Sequence, residues 1–168
     1  MAKLEILEFP DARLRTVAKP VEQVDDALRR LIDDMVETMY DAQGIGLAAA
    51  QVGWDARVCI VSDTGDPADC HVMINPEVAE ARGSEAMEEG CLSFPNIHAV
   101  ITRAKDVTVR YTGLDGETHE RRPGFDARPL VARHLAGASV VRALEIGHAR
   151  EAEIQNTKYE TNSNFRKP

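Results

Sequence analysis

A chain of 168 residues with 43% apolar content has enough mass for one domain with its own core and too little for two. Its 20 basic against 28 acidic residues leave a formal charge of −8, which favours a soluble monomer and argues against nucleic acid or an anionic membrane as a partner. No apolar run reaches the length of a membrane span, and the charged opening MAKLEILEFPDARLR lacks the unbroken apolar stretch of a signal peptide, so the expected location is the cytoplasm.

The first predicted element is a helix over 25–43. Leu28, Leu31, Ile32, Met35, Val36 and Met39 recur at the three-four spacing of an amphipathic helix, Asp25 or Asp26 can cap it, and Gly44 supplies a stop. A Gly-Ile-Gly and a run of small residues follow. The β-branched runs Arg57–Ser62 and His71–Asn75 then read as strands, and Asp106–Tyr111 alternates apolar and polar before a turn at Asp115-Gly116, as a half-buried antiparallel strand does. One helix with several strands gives an α+β fold class. Further on, Leu130, Val131, Leu135, Ala138, Val141 and Leu144 return to helical spacing, with Pro129 suited to the first turn. Gly137 and Gly147 each weaken that helix by about 1 kcal/mol relative to Ala. We expect one domain over 1–152, with 116–152 its divergent part, and a polar, aperiodic tail over 153–168.

Two segments can carry chemistry. In Gly44-Ile-Gly-Leu-Ala-Ala-Ala-Gln51 the glycines permit a tight turn and let another chain approach the backbone amides, while Gln51 offers an amide donor. In Glu88-Glu-Gly-Cys-Leu-Ser93 a cysteine following a glycine in a polar turn is accessible, as a soft metal ligand or a nucleophile. Taken alone, the first also reads as a helix end leading to a buried small-residue segment, and the second as a small buried hydrophobe. Three cysteines, Cys59, Cys70 and Cys91, without C-x-x-C spacing argue against a disulfide framework and leave at least one thiol to be explained otherwise.

Together these two segments, in this order and at this separation, resemble the first two signature motifs of the peptide deformylases. Ile6–Arg15 and Met73-Ile-Asn-Pro76 resemble that family's opening and the strand before its cysteine, so the resemblance runs from about Leu4 to about Gly116. It implies antiparallel strands packed around a helix, and a hydrolase that removes the formyl group from N-formylmethionyl peptides of nascent chains. It also implies a divalent metal, Fe²⁺ or Zn²⁺, bound by Cys91 and two histidines of an H-E-x-x-H helix. By the same resemblance Gln51 and the backbone N–H of Leu92 hold the developing oxyanion, the Gly46 backbone pairs with the substrate peptide, and Ile45 and Met87 line the methionine pocket.

The third motif is missing. No H-E-x-x-H occurs, and of the five histidines only His134 lies where it is expected. With His134 as first ligand, Leu135 takes the glutamate position and Ala138 that of the second ligand. If His134-Leu-Ala-Gly137 is instead the motif's His-Leu-x-Gly close, Leu130 and Val131 take the first-ligand and glutamate positions. In either registration Cys91 and His134 are the metal ligands, and neither a third ligand nor a general base remains. His148 lies about 21 Å from His134 along a continuous helix and joins it only through a sharp bend. His71, His98 and His119 are expected to be solvated or locally bonded. The sequence therefore implies an impaired or inactive hydrolase, its last third being what a frameshift, recombination or redesign would leave. The alternatives are a non-catalytic peptide-binding protein and an enzyme using Cys91 as nucleophile, for which no base is evident.

Overall fold

The computed structural model describes residues 3–122. The expected helix from Pro129 through Leu144, the tail, His134 and His148 lie outside them. A single long helix, α1 (Asp26–Asp41), matches the periodicity. Asp25 caps it, its carboxylate accepting from the Leu28 N–H at 2.8 Å, which satisfies one of the free donors of the first turn. The stop differs from expectation. Gln43, not Gly44, takes the left-handed conformation at φ 55°. The Gln43 N–H then bonds the Tyr40 carbonyl, and the Gly44 N–H the Met39 carbonyl at 2.8 Å, the paired closure of a Schellman end. Gly44 packs closely against the hairpin: a Cβ there would lie 2.8 Å from Leu92 Cδ1, so that leucine's end would have to shift.

The small-residue run forms β1 (Gly46–Ala48) and a 3-10 turn, Ala49–Val52. Next come β2 (Val58–Ser62), a long β3 (Cys70–Arg82), β4 (Glu85–Cys91), β5 (Phe94–Arg103), β6 (Asp106–Thr112) and β7 (Thr118–Arg121). Five of them make one antiparallel sheet in the order β1-β2-β3-β6-β7. The α+β class expected from the sequence is therefore what forms.

Sheet alternation explains the core. Val58, Ile60 and Ile74 point at Leu28, Leu31, Ile32, Met35 and Met39 of α1, while Cys59, Val61, Met73, Val107 and Val109 form a second cluster. Each fully buried aliphatic side chain of this kind stabilises the fold by about 1.5–3 kcal/mol. β3 runs well past the expected Asn75, crossing Pro76 through a register shift between Ile74 and Glu77. A bulge there lets the strand continue past a residue that cannot donate to the ladder.

β4 and β5 are a separate two-stranded sheet inserted between β3 and β6. Its first strand corrects the reading of 88–93 as a turn, since Cys91 is the last residue of β4 and the turn is confined to Leu92-Ser93. The hairpin tip is tied down by the N-terminal segment. The Leu7 N–H bonds the Gln51 carbonyl at 2.7 Å and the Phe9 N–H the Ser93 carbonyl at 2.9 Å. Phe9 stacks on Phe94 with centroids 5.2 Å apart, above a cluster of Leu7, Leu14 and Phe94.

Candidate functional site in the cleft beside Cys91

A cleft of about 500 Å³ lies between the chain around β1 and the β4–β5 hairpin. Gly44, Ile45, Gly46 and Gln51 line one side, and Met87, Gly90, Cys91, Leu92 and His98 the other. The expected site residues Gly46, Ile45, Gln51, Met87, Cys91 and Leu92 are thus all brought to one place. The walls touch where the end of the Leu92 side chain rests on Gly44.

β1 is an edge strand, and its two peptide edges do different things. The Ile45 carbonyl accepts from the Ser62 N–H at 2.9 Å, on the sheet side. The Ala48 N–H points away from β2, to Gln51 Oε1 at 3.0 Å. Because peptide groups alternate along an antiparallel strand, Gly46, two residues earlier, turns its own N–H and C=O the same way, into the cleft.

Gln51 is 2% exposed and fully bonded. With its oxygen committed to the Ala48 N–H, the amide nitrogen must face the hairpin, where it donates to Ser93 Oγ at 3.0 Å and to Cys91 Sγ at 3.7 Å. A buried amide held from both ends cannot turn, so its second donor is aimed at the thiol and the space in front of it. Ser93 was not singled out in the sequence, although it closes the Cys-Leu-Ser segment. Its buried hydroxyl couples Gln51 to the hairpin.

The thiols divide by environment. Burial pushes the Cys59 thiol up to about 12, and burial also raises Cys70. Both are therefore poor thiolates near neutral pH. Cys91 is half-buried and alone among the three lines the cleft. His71 and His119 are locally bonded as expected, to Asp69 and Asp115 at 3.0 Å each. His98 lies against Gly90.

Among the described residues, Cys91 belongs to no group of three ligating side chains, and the sequence has no H-E-x-x-H to complete one. The described residues therefore do not fit a three-ligand ion at Cys91. One group of three does occur elsewhere, Asp63, Asp69 and His71, with ligating atoms within 4.8 Å of one another. Arg121 donates to Asp63, and Asp69 accepts from Thr64 Oγ1, the Thr64 and Asp63 N–H groups and His71. The carboxylates of that cluster are thus already bonded to the chain's own donors. Those bonds, His71 first, hold the Asp69 carboxyl below its usual range. Among the described residues no helix is long and apolar enough to cross a membrane.

The profile of the family described as Polypeptide deformylase matches residues 3–137, beyond the limit near Gly116 suggested by the motifs. The chain is 49% identical over 133 residues to a peptide deformylase of Hahella chejuensis, covering 79% of this chain and 77% of the relative. It is 53% identical over 121 residues to that of Chromohalobacter salexigens, 71% of each. Among solved structures, a Legionella pneumophila peptide deformylase superposes with a TM-score of 0.82 at 36% identity, over 99% of this chain and 100% of that one. An Acinetobacter baumannii peptide deformylase with Met-Ala-Ser bound gives 0.73 at 34% identity, over 84% of this chain and 98% of that one. Peptide deformylases are metalloenzymes that remove formyl groups by hydrolysis, and this chain belongs to the polypeptide deformylase family.

Proposed function

We propose that this protein takes N-formylmethionyl peptides of nascent chains into the cleft between β1 and the β4–β5 hairpin and hydrolyses them poorly or not at all. Recognition rests chiefly on one observation: the buried Gln51 amide, held by the Ala48 N–H, aims its nitrogen at Cys91 and Ser93. That donor and the Leu92 N–H bind the formyl oxygen. The outward edge of β1 at Gly46 pairs with the peptide backbone, and Ile45 and Met87 take the methionine side chain. The location is cytoplasmic and the working form a monomer.

The poor turnover rests on the partners that the sequence offers Cys91. The family match ends at residue 137, which favours the registration in which His134-Leu-Ala-Gly137 closes the third motif, with His134 as second ligand and Leu130 and Val131 in place of the first ligand and the glutamate. An iron or zinc ion would then meet one thiolate and one imidazole, and no carboxylate would serve as base. General acid–base help alone is worth about 10²–10⁴-fold in rate.

Binding and turnover of formyl-Met-Ala-Ser, measured on the same sample with Fe²⁺, Ni²⁺ or Zn²⁺ added, test the two halves separately. Saturable binding weakened by Gln51→Ala is expected, with turnover at least about 10²-fold below that of a relative carrying the full third motif. Turnover matching that relative would refute the impairment. Absence of binding would refute the recognition.

A further inference from the structure

Glu89 and Arg103 form an ion pair unlike the others in the described residues. Arg103 donates to Glu89 from Nε at 2.7 Å and Nη2 at 3.1 Å, and the two side chains are only 14% and 3% exposed. The next most buried pair, Arg121 with Asp63, is at 28% and 17%. An exposed pair needs no explanation, but a buried one carries a desolvation cost that often cancels its attraction, so stability alone does not account for its presence.

Its place in the ladder supplies the reason. In β4–β5 the direct partner of Arg103 is Glu85, and that of Glu89 is Ala99. The guanidinium therefore reaches along the hairpin, past the Met87–Ile101 rung, to a carboxylate four residues from its own opposite number. Glu85, Met87, Glu89, Arg103 and Ile101 share the face on which Ile101 is 1% exposed, while Glu88, Gly90, His98 and Val100 share the exposed one. A one-residue slip would exchange these faces, breaking the pair and exposing Ile101. Regular pairing ends one rung after Glu89, between Gly90 and Cys91. The β4–β5 sheet shares no ladder with the five-stranded one, so the backbone of the main sheet does not fix where Cys91 sits.

We propose that the Glu89–Arg103 pair is a register lock that positions Cys91 and Leu92 opposite Gln51. Both are positioning residues, acting through the hairpin and not by touching substrate. The assignment concerns the placement of the thiol and stands whether or not the chain hydrolyses a formyl group.

The test is the alkylation rate of Cys91 by iodoacetamide on the purified full chain, read by peptide mapping, with Cys70 as internal control and metal content and thermal melting followed in parallel. Glu89→Gln leaves one charge unpaired; the double variant Glu89→Leu with Arg103→Met removes both charges and keeps volume; Arg103→Lys keeps the charge and loses the two-pronged grip. In the first two, release of the thiol from Gln51 is expected to raise Cys91 alkylation about fivefold or more, with Cys70 within about twofold of the parent, and Arg103→Lys should fall between these variants and the parent. Any Cys91 change under about threefold in a cooperatively melting double variant overturns the proposal. So does loss of folding in all three, which would assign the pair to general stability.

Discussion

The five-stranded sheet and the two-stranded hairpin are both antiparallel, yet they are held by different forces. In the first, α1 lays five apolar side chains on Val58, Ile60 and Ile74, and every strand has a hydrogen-bonded neighbour. In the second, two strands pair only with each other, and the tip carrying Cys91 is fixed by a few contacts: the Glu89–Arg103 pair, the Gln51–Ser93 bond, the Phe9–Ser93 bond and the Phe9–Phe94 stack. An isolated hairpin is marginal in water. The cleft therefore has one wall set by a core and another set by individual side chains, and the two should answer differently to mutation.

The strongest way to break that contrast is a cavity under the sheet. Met35→Ala, at a fully buried position of α1, should cost about 2–5 kcal/mol and melt the whole domain in one transition, seen by denaturant unfolding. A smaller and more local effect is expected at the seam. Gln51→Leu keeps the bulk but orphans the buried Ala48 N–H and the Ser93 hydroxyl, costing about 1–3 kcal/mol. Amide exchange should quicken at Ala48 and around Ser93 while α1 stays protected. Equal loosening of both regions would mean they are one cooperative unit.

The smallest effect sharpens the comparison from a third place. Asp69 has its carboxyl lowered, first by the bond from His71 and then by those from Thr64 and Asp63. A carboxyl lowered in the folded state adds stability above its unfolded value, and that stability is lost as pH falls through the lowered one. Asp69→Asn should therefore melt below the parent at neutral pH, with a gap that narrows below about pH 4. A constant gap down to acid would show that the hydrogen bonds matter and the charge does not.

The legible parts of the molecule were those with a period. α1 announced itself through six apolar residues at helical spacing, and β2 and β6 through β-branched runs. β4 was hidden because Glu85-Ala-Met-Glu-Glu-Gly-Cys has no β-branched residue and two adjacent glutamates, one of which is buried against an arginine fourteen positions away. Local pattern cannot reveal a polar residue made tolerable by a distant partner. Within the cleft, Gln51, Gly46 and Cys91 stood out through their motifs, whereas Ser93 and Phe9 act only through contacts across the chain. At Gly44 turn chemistry suggests the stop, whereas the left-handed residue is Gln43 and Gly44 instead packs under the end of Leu92.

The strap formed by Leu7 and Phe9 has a consequence for synthesis. Its hydrogen-bond partners are Gln51 and Ser93, so Leu7 and Phe9, synthesised well before either partner, cannot dock until Gln51 and then the hairpin have emerged. Until then the Gln51 and Ser93 carbonyls lack the strap that bonds them. Pairings this distant in sequence form late and slowly. The recognition surface should accordingly be among the last parts of the chain to mature, after α1 has settled on β2 and β3.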